Sequence, residues 1–250
     1  MIIIKTSNEL LKMRKAGKIT GGALMAAKKA IHPGMSTLEL DKIIKNYIVS
    51  HGARPSFLGY GGFPASACIS INDTVIHGIP SSKEIIKEGD IVSVDVGAYI
   101  DGYHGDSAKT FAVGEISETA KSLMASTEES LMLAIEMAKP GVRIGDISSA
   151  IQKYNEQRGF SVVREFVGHG VGAKLHEEPE VPNFGKAGHG PRLMPGMVIA
   201  IEPMINEGGA SVKILPDGWT VKTVDKSLSA HFEHTIAITS QGATILTLPE

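Results

Sequence analysis

Apolar residues recur at helical spacing in two consecutive stretches near the start of the chain. Thr6 and Glu9 form a capping-box pattern before the first stretch, and Pro33-Gly34 follows it. Ser36 and Glu39 form a second capping box before the next stretch. The apolar positions are Leu10, Met13, Ile19, Leu24, Ala27 and Ile31 in the first stretch, and Leu40, Ile43, Ile44, Tyr47 and Ile48 in the second. The pattern predicts two consecutive helices.

The segment after Pro140 resembles the segment after Pro33. A shift of 107 residues pairs Pro33 with Pro140, Gly34 with Gly141, Glu39 with Asp146, Leu40 with Ile147, Ile44 with Ile151, Tyr47 with Tyr154 and Gly52 with Gly159. So many matches at one offset indicate a duplicated unit. The same shift places Asp95 on Glu202, so an acid ends an equivalent apolar strand in each half. We predict two halves that fold alike and face each other across one site.

Each half runs in the order helix, helix, strands, and no linker-like stretch separates the halves. This order predicts an α+β architecture, in which both halves contribute to one sheet and helices cover one face of it. We therefore expect a single domain over residues 1–250, with the halves at roughly 1–115 and 116–250.

Residues 89–114 carry the pattern of a β-hairpin. Two apolar runs flank Asp101-Gly102, which is a strong signal for a two-residue turn. If that dipeptide forms the turn, Asp106 lies opposite Gly97, and Asp95 projects from the same face because strand side chains alternate. The Cα atoms of Asp95 and Asp106 are then about 7–8 Å apart. Two carboxylates this close repel unless a proton or a cation lies between them, although an isolated acid pair is more often simply solvated.

Three further residues indicate a metal site and argue against a pair of solvated acids. Glu202 ends the apolar strand Val-Ile-Ala-Ile-Glu-Pro, and Glu233 lies in a second apolar strand, where an unpaired carboxylate is costly. His169 lies in Gly-His-Gly-Val-Gly, whose glycines allow the backbone to approach a ligand, although a lone histidine there is more often structural. Four carboxylates and one imidazole favour Mn, Fe or Co and tolerate Zn.

Composition narrows the class of protein. The chain has 250 residues, of which 42% are hydrophobic and 21% are charged, which suffices for a sizeable core. The net charge of −2 gives no reason to expect a nucleic-acid partner, and we interpret the basic first helix as a solvated face. The single cysteine, Cys68, excludes an intrachain disulfide. Because the N-terminal apolar run is too short for a signal peptide or a membrane span, we expect a cytoplasmic protein.

Together these motifs resemble those of the type I methionine aminopeptidases, and the resemblance covers essentially the whole chain. The motifs are Cys-Ile-Ser-Ile-Asn-Asp at 68–73, His77-Gly78-Ile79-Pro80, Asp95 with Asp106, Gly168-His169-Gly170-Val171-Gly172, His176-Glu177-Glu178-Pro179, Glu202-Pro203, and Gly218-Trp219 with Glu233-His234-Thr235. The resemblance implies a pita-bread fold, in which two pseudo-symmetric halves share a curved, mostly antiparallel sheet covered by helices. It also implies a metallo-aminopeptidase that removes the initiator methionine of nascent proteins and favours a small second residue.

The resemblance implies a set of metal ligands as well. The positions of the family's ligands are occupied by Asp95, Asp106, His169, Glu202 and Glu233. They would hold two divalent ions, with Co, Mn, Fe, Zn and Ni as the candidates, and Asp106 and Glu233 would bridge them. A monovalent cation is implied near Asn72 and Ser229.

Other residues are implied to contact the substrate. Glu202 would move a proton, His176 would stabilise the developing oxyanion, and His77 would contact the substrate amide. The family's methionine pocket would here be lined by Phe57, Tyr60, Phe63, Cys68, His77, Leu175 and Trp219. For the first two of these, core packing is a nearly equal interpretation. Trp219 belongs to a segment that the first half lacks.

Two other functions remain open. A proline-specific aminopeptidase or dipeptidase uses the same ligand types but usually carries a large extra N-terminal domain. Here the first capping box begins at Thr6, so we expect no such domain. A pita-bread protein that only binds peptides would have lost a ligand, and none is lost. We expect nascent polypeptides with an N-terminal methionine as substrates, the ribosome as a further partner, no membrane or specific nucleic-acid partner, and a monomer.

Overall fold

The computed structural model describes residues 1–249, and four α-helices lie in that range. They are α1 (Ser7–Ala30), α2 (Thr37–Ser50), α3 (Glu118–Met137) and α4 (Ile144–Glu156), with a short 3-10 helix at Tyr60–Gly62. The side chains of Thr6 and Ser36 accept hydrogen bonds from the backbones of Glu9 and Glu39, whose carboxylates bond back to the cap residues. Both predicted capping boxes are therefore confirmed.

Fifteen short strands complete the described chain. They are β1 (Arg54–Pro55), β2 (Ala67–Ile71), β3 (Thr74–Ile76), β4 (Ile91–Ile100), β5 (Tyr103–Ala112), β6 (Ser161–Val162), β7 (Gly168–Gly170), β8 (Glu177–Val181), β9 (Val198–Ile201), β10 (Met204–Asn206), β11 (Val212–Ile214), β12 (Val221–Thr223), β13 (Ser229–His231), β14 (His234–Thr239) and β15 (Gly242–Ile245). One large sheet has the order β1-β4-β2 with β5 beside β4, and the other has the order β15-β14-β9-β7-β8. Two small sheets, β13-β10-β6 and β11-β12-β3, join them, and all strand pairs within residues 1–249 are antiparallel.

Equivalent backbone contacts recur in the two halves at the 107-residue shift. The N–H of Gly34 donates to the carbonyl of Ile86 at 2.8 Å, and the N–H of Gly141 donates to the carbonyl of Leu193 at 2.9 Å. The paired glycines also share backbone angles, with φ values of 91° and 90° for Gly34 and Gly141, 75° and 83° for Gly52 and Gly159, and 88° and 89° for Gly89 and Gly196. Glycine is favoured at such angles, so the repeated glycines preserve the same turns in both halves.

The β4–β5 hairpin has the predicted register. Asp101 and Gly102 both have positive φ, which is the backbone of a tight two-residue turn. Asp106 pairs with Gly97, and Asp95 pairs with Ala108. The two acids therefore project from one face of the hairpin, as predicted.

Helices cover one face of each large sheet. Apolar residues of β4 pack with α1 and α2 in one buried cluster, and those of β9 pack with α3 and α4 in another. Val94 and Val96 belong to the first cluster, so Asp95 between them projects from the opposite face. A Cβ atom at Gly105 would lie 2.6 Å from the backbone nitrogen of Gly17, so glycine allows α1 to pack directly on β5. The acids thus lie on the face that these helices leave uncovered.

Side-chain hydroxyls join the two halves. The Thr235 hydroxyl accepts from the N–H of Asp106 at 3.1 Å and donates to the carbonyl of Asp106 at 2.7 Å. The Ser107 hydroxyl donates to the carbonyl of Glu233 at 2.6 Å. The N–H of Glu233 also donates to the carbonyl of Ala108 at 2.8 Å, so backbone and side-chain bonds together connect β5 to the second half. No helix within residues 1–249 has the length and apolar character needed to cross a membrane.

Candidate active site

The acids singled out from the sequence converge on one cavity between the two halves. Asp95 lies on β4 and Asp106 on β5, while Glu202 directly follows β9 and His169 lies on β7. Glu233 lies between β13 and β14, which differs from the predicted position within a strand. Its N–H donates to the carbonyl of Ala108 at 2.8 Å, so the backbone turns towards β5 at this residue.

Three of these side chains form a group suited to a metal ion. One potential ligand atom from each of Asp106, His169 and Glu233 lies within 4.8 Å of the others. Oxygen atoms of Asp95, Asp106 and Glu233 are also buried without a hydrogen-bond partner. Such carboxylates are costly unless a cation compensates them. The donor set therefore fits divalent metal ions.

Burial shapes the protonation of this group. It raises the pKa of Asp106 to about 7 and, together with the charge of Asp106, raises the pKa of Asp95 well above its usual value. Burial likewise raises the pKa values of Glu202 and Glu233, to which neighbouring carboxylates contribute. It lowers the pKa of His169 to about 3, so the ring is neutral, which is the form that binds a metal. Divalent ions would displace protons from the carboxylates.

Two more histidines line the cavity. Nδ1 of His176 lies 2.7 Å from the Tyr60 hydroxyl, and its ring centroid lies 4.1 Å from that of His169. Burial lowers the pKa of His176 and lowers that of His77 to about 4. The His77 ring meets Trp219 edge-on, with centroids 6.1 Å apart. Both imidazoles are neutral near pH 7 and can donate one N–H each.

Apolar side chains form a slot in the same cavity. Phe57, Phe63, Cys68 and Leu175 are buried in one cluster, against which Trp219 packs. The cavity has a volume of about 140 Å³ and is lined by all of the residues predicted for the ligand set, the catalytic histidines and the methionine pocket, namely Phe57, Tyr60, Phe63, Cys68, His77, Asp95, Asp106, His169, Leu175, His176, Glu202, Trp219 and Glu233. A cavity that contains both carboxylates and this apolar slot suits a ligand with one charged and one apolar part.

The sequence interpretation missed one residue of this region, His231. Its Nε2 lies 3.6 Å from Oε2 of Glu202, and its side chain is 2% exposed. Burial lowers the pKa of His231 to about 3. The only signal in the sequence is an imidazole two residues before Glu233.

The residues expected near a monovalent cation lie side by side. The N–H of Ser229 donates to the carbonyl of Asn72 at 2.9 Å, and the Asn72 side chain donates to Asp90 at 2.7 Å. Asn72 has a φ of 53°, which is uncommon for a residue with a side chain.

The chain is similar to known proteins over almost its whole length. Residues 11–240 match the model of metallopeptidase family M24. A methionine aminopeptidase of Clostridium perfringens is 58% identical over 99% of this chain and 99% of its own length. This chain belongs to the methionine aminopeptidases of family M24. The crystal structure of such an enzyme from Thermotoga maritima has a TM-score of 0.98 and 49% identity, with 99% of this chain and 100% of that chain covered.

Family membership confirms the pita-bread fold and the predicted metallo-aminopeptidase class. The proline-specific relatives are more distant. A prolidase from Pyrococcus furiosus has a TM-score of 0.81 and 29% identity, and 99% of this chain covers 66% of that one. The fold is therefore shared with that group, while the full-length similarity favours the methionine enzymes.

Proposed function

We propose that this methionine aminopeptidase hydrolyses the peptide bond after the initiator methionine of new polypeptides and favours a small second residue. One observation carries the proposal most directly: unpaired buried carboxylates and an apolar, sulfur-containing slot line the same cavity. A thioether side chain suits the slot, because Cys68 and the aromatic rings offer soft, polarisable contacts.

In the proposal, five residues would hold two divalent ions. Asp106 and Glu233 would contribute to both metal sites, Asp95 would complete one site, and His169 and Glu202 would complete the other. When bound, such ions polarise a carbonyl, bind the free amine of the substrate and make a shared water nucleophilic near neutral pH. The identity of the metal stays open among Co, Mn, Fe, Zn and Ni, all of which tolerate oxygen and imidazole ligands.

The remaining groups act on the substrate. Glu202 accepts a proton from the attacking water and passes it to the leaving nitrogen. If the Tyr60 hydroxyl donates to Nδ1 of His176, then Nε2 of His176 carries the proton and donates to the developing oxyanion. His77 contacts the substrate amide, and its edge contact with Trp219 supports the position of the ring beside the slot.

The setting of the reaction follows from its substrate. New polypeptides present their first residue as they leave the ribosome, so the ribosome and the cytoplasm are the expected partner and compartment. We expect a monomer, because one chain supplies the residues from both halves. The carbonyl of Asn72 beside Ser229 remains the proposed place of a monovalent cation.

Peptide cleavage tests the function. The protein is dialysed against each divalent ion in turn and offered Met-Ala-Ser, its N-acetylated form, and a peptide with proline in second position after a residue other than methionine. We expect methionine release from the first peptide alone. Faster cleavage of the Xaa-Pro peptide would favour the proline-specific alternative, and no cleavage of any peptide with any ion would favour the non-catalytic one.

A matched pair of variants tests the metal site. Asp106→Asn removes a proposed bridging ligand, whereas Asp101→Asn changes an exposed acid in the turn of the same hairpin. We expect Asp106→Asn to lose bound metal and activity together, while Asp101→Asn keeps both. Equal metal content in the two variants would remove Asp106 from the ligand set.

A further inference from the structure

His231 is a buried histidine beside the acids, and it belongs neither to the proposed metal ligands nor to the proposed catalytic residues. Its side chain is 2% exposed, and its Nε2 atom is buried without a hydrogen-bond partner. A buried polar nitrogen in that state is destabilising unless it has a function or gains a partner. Oε2 of Glu202 lies 3.6 Å from this nitrogen.

The two oxygens of Glu202 face different imidazoles. Oε1 lies 3.6 Å from Nε2 of His169, and Oε2 lies 3.6 Å from Nε2 of His231. The Glu202 side chain is 13% exposed, so water contributes little to its orientation. The first imidazole belongs to the proposed ligand set and the second does not. Glu202 thus has one imidazole beside each carboxylate oxygen, and only that of His169 has a role in the proposed metal site.

The backbone of His231 is fixed from the other half of the molecule. Its N–H donates to the Thr110 hydroxyl at 2.9 Å, and that hydroxyl donates to the carbonyl of His231 at 2.9 Å. His231 is the last residue of β13, and Thr110 lies on β5. A ring on this anchored backbone offers Glu202 a partner of fixed position. A shortening of about 0.6 Å would bring Nε2 and Oε2 to ordinary hydrogen-bond distance.

We propose that His231 is a positioning residue for Glu202. Its Nε2–H donates to Oε2 and thereby holds Oε1 on the side of His169 and the bound ions. Loss of a residue that orients a metal ligand in this way typically lowers metal affinity or activity about 10–100-fold. The inference rests on the proposed function, because it takes Glu202 as a metal ligand.

Two substitutions separate this role from simple packing. His231→Gln keeps a side-chain N–H donor, whereas His231→Leu fills similar space without one. His234→Leu is the matched control for the loss of a buried imidazole, because Nδ1 of His234 bonds to Thr247 and the residue lies outside the cavity. All variants are first compared by thermal melting, so that folded protein is known to be measured.

The main readout is metal binding and not turnover. Apo protein is titrated with Mn²⁺ in a calorimeter, and the visible spectrum of the Co²⁺ form is recorded. We expect His231→Leu to weaken Mn²⁺ binding about 10–100-fold and to change the Co²⁺ spectrum. His231→Gln should lie close to the parent in both measurements. His234→Leu should lower the melting temperature without changing either.

Parent-like Mn²⁺ affinity and Co²⁺ spectrum in folded His231→Leu would overturn the inference. So would folded His231→Gln with a defect as large as that of His231→Leu, because the donor would then be irrelevant. If the parent binds Mn²⁺ and the variants differ as expected, but no methionyl peptide is cleaved, the proposed function fails and the positioning role stands.

Discussion

Nδ1 of His176 lies 2.7 Å from the hydroxyl oxygen of Tyr60. This contact joins a proposed catalytic imidazole to a residue for which pocket lining and core packing were both reasonable from the sequence. Tyr60 is 44% exposed, which argues against a pure packing role. If the Tyr60 hydroxyl donates to Nδ1, the proton of the neutral His176 ring lies on Nε2, and Nε2 is then the donor to the substrate.

His176→Ala is expected to lower kcat by about 10²–10³-fold while bound metal stays at the parent level. The imidazole is proposed to bond most strongly to the oxyanion, so its loss affects the transition state. The alternative is a histidine that orients a ligand, whose loss would weaken metal binding. Metal content and kcat are measured on the same preparation. Turnover that extra metal fully restores would refute the direct role.

Tyr60→Phe should also lower kcat, but by less than His176→Ala. It removes one hydrogen bond but leaves the ring, and a net loss of about 0.5–1.5 kcal/mol corresponds to roughly 2–10-fold in kcat. The double variant with His176→Ala tests the connection. Its kcat should equal that of His176→Ala alone, because the tyrosine acts through that imidazole. A further loss in the double variant would show an independent role for Tyr60.

Trp219→Leu is expected to raise KM for methionyl peptides about tenfold with a smaller change in kcat. The indole packs edge-on against Phe63 at 5.2 Å between centroids, so its loss opens the slot for the methionine side chain. Ile214→Ala is the control, since Ile214 lies on β11 in the same β11–β12 segment and is 60% exposed. Steady-state kinetics on Met-Ala-Ser compare the two variants, and equal KM values would show that Trp219 does not contribute to binding of the methionine side chain.

The sequence allowed accurate prediction wherever local chemistry determined the geometry. Asp101-Gly102 specifies a tight turn, and a tight turn fixes which residues pair, so Asp95 and Asp106 could be placed on one face in advance. The repeated glycines predicted that the two halves are equivalent, because each glycine specifies a local turn and the same turns recur at the 107-residue shift. The proposed metal ligands could be singled out because a carboxylate amid apolar strand residues needs a partner.

Features that depend on contacts between segments distant in the sequence could not be predicted. Glu233 was predicted within a strand, but its backbone turns towards Ala108 of the other half. The role of His231 depends on Glu202, which lies elsewhere in the chain. No spacing rule connects these residues. Glu233 meets Ala108 only when the two halves pack together, and His231 approaches Glu202 through the pairing of β13 with β10 inside the second half.

The metal-free protein is expected to be less stable than the metal-loaded protein, because removing the ions leaves four buried carboxylates close together. Thermal melting with and without a chelator measures the difference, after metal analysis has shown that the ions are gone. Equal melting temperatures would argue that the carboxylates find other partners in the apo state.

The stability of the metal-free protein should also fall as pH rises from about 6.5 to about 8. Burial raises the pKa of Asp106 from 3.8 to about 7, so the native state keeps a proton that the unfolded chain has already lost. Where the native state binds more protons, stability decreases with increasing pH. Between about pH 4 and pH 6.5 the carboxylates still act in this direction, while buried histidines such as His77, whose pKa is lowered from 6.5 to about 4, act in the opposite direction because they remain neutral when the unfolded chain takes up protons.

Two controls make this pH dependence specific to the carboxylates. Saturating Mn²⁺ should abolish the loss of stability across this range, because the ion compensates the charges that appear as protons leave. Asp106→Asn should make the slope of the metal-free protein shallower, since one raised carboxyl is removed, whereas Asp101→Asn should leave it unchanged. Melting temperatures at several pH values, with and without Mn²⁺, give the slopes. A metal-free protein whose stability does not fall across this range would mean that the carboxylates ionise at ordinary pKa values, and the electrostatic case for a buried metal cluster would fail.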